Sequence, residues 1–209
     1  MFDNQNLTIF IVDDDNDILT SLSRSLTKRG YKVECFISAQ QFLDAFNESS
    51  QGCLLLDYGM DHINGLELQQ LLIEKEISLP IIFMTGHGGI PESVKAIKNG
   101  AIDFLEKPFK QDVLIEAIDS AFKQSLSFVK INESKKLLNE NLAKLTTRER
   151  EVAQAIVLNP ADTSSKFISR KLGVSPRTVD HHRARILEKM QMNSVVELIE
   201  KSIKSELFK

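Results

Sequence analysis

The sequence lacks any apolar run of the roughly 18 residues that a membrane-spanning helix needs, so no membrane segment is expected. Its first residues, MFDNQN, contain no basic region followed by an apolar one, so we expect no secretory signal. Cysteine is scarce, and the two present, Cys35 and Cys53, lie in apolar, strand-like runs. We interpret them as small buried side chains in a reducing compartment, since no Cys-x-x-Cys pair or metal-binding quartet is present. These features predict a cytoplasmic protein without membrane contact.

The charge is distributed unevenly along the chain. Its 209 residues are 42% hydrophobic and 26% charged, which suits one large soluble domain or two modest ones. Residues 1–125 contain 10 Lys and Arg against 19 Asp and Glu, whereas residues 126–209 contain 16 against 10. An acidic first part and a basic second part favour different partners, such as a cation for the first and a polyanion for the second.

The first part alternates between strand-like and helix-like segments. Five short apolar runs are separated by stretches with helical spacing of apolar residues. The runs are LTIFIV (7–12), YKVECF (31–36), CLLLD (53–57), LPIIFMT (79–85) and AIDFLEK (101–107). This alternation predicts an α/β fold, a doubly wound five-stranded parallel sheet with helices on both faces. Ligands of such open sheets bind beyond the carboxyl ends of the strands.

Polar residues stand at those carboxyl ends. Asp13 and Asp14 follow the first strand, Asp57 ends the third, and Thr85 and Lys107 end the fourth and fifth. Neighbouring carboxylates repel one another, and Mg²⁺ offsets this repulsion because it binds carboxylate, water and phosphate oxygens. An aspartate beside such a metal can accept a phosphoryl group. The pattern predicts a Mg²⁺-dependent phosphoryl acceptor whose phosphoryl oxygens contact the lysine and the threonine hydroxyl.

Other interpretations of these residues meet specific objections. An EF-hand loop starting at Asp13 would need Gly at position 18 and Glu at position 24, where Ile18 and Arg24 stand. An aspartate-based phosphatase would have a D-x-D-x-[TV] pattern after the first strand, which the acidic triplet does not match. Asp57 as a plain helix N-cap and His87 as a catalytic base are further alternatives, but no nucleophile lies near that histidine in sequence. We therefore expect a regulator rather than an enzyme.

The motifs IVDDD, LLLDYGM, MTGHG and DFLEKPF resemble, in order and spacing, the receiver domain of two-component response regulators, in particular the FixJ-like subgroup. The resemblance covers roughly residues 5–125. It implies that a partner histidine kinase phosphorylates Asp57. It also implies a Mg²⁺ site formed by Asp13, Asp14, Asp57 and the main-chain carbonyl of Gly59.

The same resemblance implies how the phosphoryl group is sensed. Thr85 and Phe104 resemble the family's switch pair, in which the hydroxyl moves toward the phosphoryl group and the aromatic ring turns inward. Lys107 would bind the phosphoryl oxygens, and Pro108 resembles the family's cis-proline turn.

Two positions depart from the family pattern. Asp61 stands where Pro is usual, which adds a negative charge near the metal and loosens the loop YGMDHING. We expect this change to alter metal affinity or phosphoryl lifetime. Gly89 stands where Asp is frequent, and little effect is expected from it.

A helical linker is predicted over residues 126–144. The surrounding stretch contains no Gly or Pro and has recurring apolar residues, with a break expected near 131–134. Two interpretations stay open, a solvated linker with one apolar side and a surface that pairs with a second copy of the chain.

The basic part contains the signals of a helix-turn-helix. Thr146 and Glu149 form a capping-box pattern at the start of LTTREREVAQAIVL. Gly173 allows a tight turn after a short helix, Ser175 caps the next helix, and Pro176 occupies its first position. Two short helices joined by a glycine turn are typical of this motif.

A helical wheel divides the second helix into an inner and an outer side. Val179, Ile186 and Met190 fall together and are predicted to face the core. The outer side can reach base edges in a major groove, and its flanks suit phosphates. The outer residues are Arg177, Asp180, His181, Ala184 and Arg185, and the flanking residues are Thr178, His182 and Lys189.

The motifs LTTRERE, SPRTVDHHR, EKM and SVVELIEKSI resemble the LuxR-type DNA-binding domain over residues 145–203. The resemblance implies backbone contacts by the flanking residues and base-facing roles for Asp180, His181 and Ala184. It further implies a dimer contact through the last helix, in which Val195, Leu198 and Ile199 would pack. The loop NPADTSSKFIS is about three residues longer than usual, and its Ser165 and Lys166 are predicted to contact phosphate.

Together these features predict a response regulator and transcription factor. A receiver domain (1–125) and a helical linker (126–144) would precede an all-α, four-helix helix-turn-helix domain (145–209). Phosphorylation would favour a homodimer that binds double-stranded promoter DNA. The rival hypothesis is a protein-interaction switch whose second domain binds protein instead of DNA.

Overall fold

The computed structural model describes residues 7–47, 50–86, 90–205 and 207–208. The chain divides into two compact units, Met1–Lys130 and Ile131–Lys209. The finer boundaries at residues 125 and 144 stay predictions. The expectations for His87 and Gly89 lie outside the described residues. In the described part of the chain, none of the helices combines the length and apolarity needed to cross a bilayer.

The first unit contains a five-stranded parallel sheet in the order β2-β1-β3-β4-β5, which confirms the predicted α/β fold. The strands are β1 (Leu7–Val12), β2 (Lys32–Phe36), β3 (Gln51–Asp57), β4 (Ile81–Thr85) and β5 (Asp103–Glu106). The helices are α1 (Asn16–Lys28), α2 (Ala39–Ala45), α3 (Gly65–Glu74), α4 (Ile90–Lys98) and α5 (Gln111–Ala143).

Alternation along the strands gives the sheet two apolar faces, because successive side chains point to opposite sides. On one face Ile9, Ile11 and Leu55 pack in a core that includes residues of α1 and α5. On the other face Phe10 and Leu56 pack in a core that includes residues of α2, α3 and α4. Since both faces are covered, the central strands are apolar at nearly every position.

The sheet order explains why one cysteine is not buried. Cys53 lies in central strand β3 and is fully buried, as predicted. Cys35 lies in β2, which is an edge strand, and it is exposed. The prediction that Cys35 is buried is therefore wrong, because an edge strand has a neighbouring strand on one side only.

Local signals place the helix starts of the first unit. Asp15 caps α1, with its side chain accepting hydrogen bonds from the main-chain N–H groups of Asp17 and Ile18. Ser38 caps α2, as its sequence position suggests. Helix α5 is continuous over all 33 of its residues, each of which the structure describes. The expected break near 131–134 is therefore wrong, and the helical prediction for this stretch is confirmed.

The second unit is helical, as predicted, with α6 (Thr147–Val157), α7 (Ser165–Leu172), α8 (Pro176–Met190) and α9 (Val195–Lys204). Thr146 and Glu149 form the predicted capping box, and Gly173 adopts the left-handed conformation with φ 66°. The core contains the predicted apolar positions of α8 and also takes up the end of α5. Its buried members include Leu138, Leu145, Val152, Ile156, Ile168, Val179, Ile186, Met190 and Leu198, and Leu142 packs partly buried against them.

Helix α9 uses its predicted dimer residues differently. Leu198 is fully buried in the core of its own unit, and Val195 and Ile199 pack partly buried against the same core. The predicted dimer role of Leu198 is therefore wrong, whereas the dimer roles of the half-buried Val195 and Ile199 stay predictions. The apolar side chains that α9 exposes are Val196 and Ile203, at 63% and 58% relative exposure.

Candidate functional site

The carboxyl edge of the sheet brings two predicted acidic residues to one lysine. Asp13 follows β1 and Asp57 ends β3, and both residues are buried. Lys107, which follows β5, donates from Nζ to Asp13 Oδ2 and to Asp57 Oδ1, at 2.7 Å in each case. The parallel sheet places these strand ends side by side. The lysine therefore contacts both Asp13, 94 positions earlier in the sequence, and Asp57, 50 positions earlier.

Burial and pairing act in opposite directions on these groups. Burial raises the pKa of Asp13, and the hydrogen bonds from Lys107 and from the main-chain N–H of Asp15 offset this only in part. Burial also lowers the pKa of Lys107, but its bonds to Asp13 and Asp57 outweigh burial and leave that pKa above its ordinary value. The lysine therefore stays protonated and carries the positive charge that the two carboxylates need.

The third predicted acid, Asp14, is held by the loop after β3. Its Oδ2 accepts a hydrogen bond from the main-chain N–H of Asp61 at 3.2 Å. Proline, the usual residue of the family at this position, has no N–H to donate. In the same loop the N–H of Gly59 donates to Asp57 Oδ2 at 2.7 Å. The loop thus orients two of the three carboxylates through main-chain donors.

The acidic residues fit Mg²⁺ without forming a complete cage. Within the described residues, no three His, Cys, Asp or Glu side chains lie together as a ready-made metal site. Mg²⁺ needs only one or two carboxylates, because waters and phosphate oxygens complete its shell. Asp13 and Asp57 meet this requirement, since their oxygens already contact one shared cationic group.

Gly65 allows α3 to start directly beside Asp57. A Cβ atom at this position would lie 2.6 Å from the main-chain oxygen of Asp57 and 2.8 Å from the Phe83 ring. Both distances are shorter than van der Waals contact, so a side chain there would displace the end of β3 or the Phe83 ring.

The predicted switch residues flank this site on β4 and β5. Thr85 is buried at 2% relative exposure, and its carbonyl accepts a hydrogen bond from the N–H of Lys107 at 2.6 Å. Phe104 is half-buried, with its ring centroid 5.9 Å from that of Phe83 and 6.2 Å from that of Tyr58. The peptide bond before Pro108 is cis, as the resemblance implies.

Helix α8 of the second unit exposes the face predicted to meet DNA. Its predicted inner residues are buried, at 2% relative exposure or less. The predicted outer residues are all exposed and the predicted flanking residues are half-buried, which confirms the helical-wheel assignment of sides. The exposed set is Arg177, Asp180, His181, Ala184 and Arg185, and the half-buried set is Thr178, His182 and Lys189.

Several of these side chains already have protein partners. Lys189 Nζ donates to Glu149 Oε2 of α6 at 2.6 Å, and Ser165 Oγ donates to Asp180 Oδ1. Nδ1 of His182 is buried without a hydrogen-bond partner in the described part of the chain. Lys166 is exposed at the start of α7. The assigned DNA roles of these residues stay predictions.

Sequence reasoning missed two charged residues of this unit. Glu149 is 2% exposed and binds Lys189, although the sequence shows it only as a capping residue. Arg183 is half-buried and donates from Nη2 to the carbonyl of Thr163. The sequence could have indicated this role, because Arg183 lies four residues after the buried Val179 and so on the packed side of α8. A cation on the packed side of a helix needs a polar partner.

Comparison with known families and proteins agrees with this architecture. Residues 9–119 match the response regulator receiver domain, and residues 143–202 match the bacterial regulatory proteins of the luxR family. The chain is 39% identical over 191 residues to the transcriptional regulatory protein FixJ of Bradyrhizobium diazoefficiens, with 91% of this chain and 92% of that protein covered. It is 40% identical over 195 residues to the response regulator protein TodT of Pseudomonas putida, with 91% and 83% covered.

Two solved structures match nearly the whole length of the chain. The response regulator StyR matches with a TM-score of 0.77 at 35% identity, covering 95% of this chain and 99% of that one. Full-length FixJ from B. japonicum matches with a TM-score of 0.57 at 37% identity, covering 97% and 98%. Fold and site define a receiver domain joined to a helix-turn-helix domain. The chain belongs to the two-component response regulators with a LuxR-type DNA-binding domain, which are transcription factors.

Proposed function

We propose that Asp57 accepts a phosphoryl group from a partner histidine kinase and that this switches dimerisation and sequence-specific DNA binding. The observation that carries the proposal is the shared contact of Lys107 Nζ with Asp13 and Asp57. A buried carboxylate beside a fixed cation and a second carboxylate is suited to phosphoryl chemistry.

The residues of the site would divide the chemistry among them. An oxygen of Asp57 would form the bond to phosphorus as the bond to the donor breaks, and the Lys107 ammonium would offset the charge of the phosphoryl oxygens. Mg²⁺, when bound, would be held by the side chains of Asp13, Asp14 and Asp57 and the carbonyl of Gly59, and would supply further positive charge.

The switch would follow from the same contacts. The Thr85 hydroxyl would donate to a phosphoryl oxygen, and the half-buried ring of Phe104 would turn inward as this hydroxyl moves. The Phe104 ring packs against Tyr58, directly after β3, and against Phe83 in β4. A turn of this ring would therefore change contacts with both neighbouring segments. Phosphorylation would thereby favour the arrangement of β4 and β5 in which the Thr85 hydroxyl meets the phosphoryl group and the Phe104 ring points inward.

The phosphorylated chain would act in the cytoplasm as a dimer on promoter DNA. The exposed face of α8 is rich in basic and polar groups, and its N-terminal half is the part that enters a major groove in helix-turn-helix proteins. On α9 the exposed Val196 and Ile203 take the place of buried Leu198 in the surface on which a second copy would pack. Their i, i+7 spacing places them on one side of the helix.

Acetyl phosphate with Mg²⁺ tests the acceptor assignment. We expect wild type and the surface control Asp119→Asn to gain one phosphoryl group by intact-protein mass spectrometry, and Asp57→Asn to gain none. Wild type should also move toward the dimer in size-exclusion chromatography. A phosphorylated Asp57→Asn variant would contradict the assignment.

Salt dependence of DNA binding separates the proposal from the protein-interaction alternative. Phosphate contacts release counterions, so the affinity of the phosphorylated protein for promoter DNA should fall steeply as salt rises. Arg177→Ala should flatten this slope, and exposed Lys204→Ala on α9 serves as its control. Binding that stays flat across ionic strength would favour the protein-interaction switch.

A further inference from the structure

We propose that Asp180 is a positioning residue that fixes the start of α7 on α8, and that it does not read a DNA base. The inference rests on the proposed role of α8 as the recognition helix. The family resemblance places three residues against bases, and the inference gives one of them, Asp180, a structural role instead. It also assigns Arg183 a role beside Asp180 in holding the start of α7.

The first support is that two residues of α8 bind the same segment. Asp180 Oδ1 accepts a hydrogen bond from the Ser165 hydroxyl, and Arg183 Nη2 donates to the carbonyl of Thr163. These residues are three positions apart on the helix, so their side chains are neighbours on one side. The segment they hold, 163–165, leads directly into α7 and contains its N-cap residue, Ser164.

The second support is the charge of Arg183. Its side chain is only 23% exposed, and its Nε is buried without a hydrogen-bond partner among the described residues. A cation in such a place needs a nearby anion. Asp180 Oδ1 lies 4.0 Å from Arg183 Nη1 and provides that charge. The carboxylate thus serves the guanidinium and the serine hydroxyl at the same time.

The third support is the position of Asp180 around the helix axis. Successive residues turn by about 100°, so Asp180 lies at the border between the packed side, with Arg183, and the exposed side, with Ala184. His181 points about 100° further round, toward the middle of the exposed face. A free carboxylate facing the DNA backbone would be repelled, whereas this one is engaged by Ser165 and Arg183.

The inference therefore gives the two sets of residues different tasks. Arg177, His181, Ala184 and Arg185 remain free to meet base edges and phosphates. Asp180, together with Ser165 and Arg183, would hold the longer loop and the start of α7 in place. Residues there that are predicted to contact phosphate, such as Lys166, would then meet the DNA backbone from a fixed position.

Selection from a randomised half-site library with the phosphorylated full-length protein tests this assignment. We compare wild type with Asp180→Ala, Ser165→Ala and Asp180→Asn, and use His181→Ala as the matched control on the same helix. Hydrogen exchange of the segment 159–166 is measured for each variant without DNA.

Asp180→Ala and Ser165→Ala should behave alike. Both should weaken all selected sites by a similar factor, roughly three- to tenfold for one lost hydrogen bond, and both should speed exchange in 159–166. The preferred bases should not change. Asp180→Asn keeps an acceptor oxygen for the serine but loses the charge beside Arg183, so it should restore only part of the protection. His181→Ala should change base preference and leave exchange unaltered.

A changed base preference in Asp180→Ala that Ser165→Ala does not share would overturn the inference, as would unchanged exchange in both variants. A wild-type protein that enriches no sequence is a different result. It would contradict the proposed DNA-binding function, while the exchange comparison would still decide whether Asp180 holds the segment.

Discussion

The pair formed by Glu149 and Lys189 should stabilise the second unit far more than a surface ion pair does. Glu149 is 2% exposed, and its Oε2 accepts from Lys189 Nζ at 2.6 Å and from the N–H of Thr146 at 2.8 Å. The hydrogen bond from Lys189, the largest cause, and further hydrogen bonds with Thr146 lower the pKa of Glu149 from 4.5 to about 2, against the opposing effect of burial. This shift corresponds to about 3 kcal/mol at neutral pH. Because Thr146 supplies part of this shift and the lysine side chain is 28% exposed, we expect the ion pair to contribute about 2 kcal/mol after solvent screening.

The perturbation is Lys189→Met, which leaves the buried carboxylate without its cation. We expect the melting temperature of the second unit to fall by roughly 10 °C in differential scanning calorimetry of the full chain. Lys201→Met is the matched control, because Lys201 pairs with Glu197 in an exposed i, i+4 geometry and should matter little. A double-mutant cycle with Glu149→Gln should give a coupling energy of about 2 kcal/mol.

The pH dependence of this contribution has a defined sign. Glu149 has a lower pKa in the folded state, so its stabilisation is present in full above its unfolded pKa of 4.5 and is lost as the pH falls toward about 2. The stability difference between wild type and Glu149→Gln should therefore shrink across that window in urea unfolding. An effect of Lys189→Met no larger than that of Lys201→Met, or a difference that persists at acidic pH, would refute the reasoning.

Three further substitutions test other contacts. Lys107→Met should tighten Mg²⁺ binding roughly tenfold in isothermal titration calorimetry, because the metal no longer competes with an ammonium for the same carboxylates. Leu138→Ala, at a side chain that is 8% exposed in the second core, should lower the stability of that unit by roughly 2 to 3 kcal/mol in calorimetry. Gly52→Ala should abolish folding of the receiver, measured as soluble yield and circular dichroism, since its Cβ would lie 1.7 Å from a main-chain oxygen of the adjacent strand.

Each of these substitutions has a control in the same chain. Leu137→Ala changes the neighbouring residue of α5, which is 50% exposed, and an equal loss from both variants would contradict the packing of Leu138. Gly100→Ala places a Cβ in open space at φ 92°, so it should cost only about 1 kcal/mol. For Lys107→Met, exposed Lys110→Met is the control, and equal Mg²⁺ affinities in the two variants would show that Lys107 does not compete with the metal.

Much of the fold follows from local sequence patterns. Alternating apolar runs predicted the five strands, and cap residues such as Ser38, Thr146 and Ser175 marked helix starts correctly, because capping involves residues only two or three positions apart. The wheel of α8 also separated its buried and exposed sides. The predicted break in α5 was wrong because a polar stretch without Gly or Pro offers no local reason for a helix to end.

The amino-acid sequence alone was enough to specify the class of fold and the identity of the polar residues at the strand ends. Periodicity and residue type are local properties, and the parallel topology brings strand ends together. Only the tertiary structure decided which residues pair. It placed Cys35 on an edge strand, buried Leu198 within its own unit, and joined Lys189 to Glu149 across 40 residues of sequence. Such pairings depend on how helices and strands pack, and no pattern within one segment encodes the neighbour it will meet.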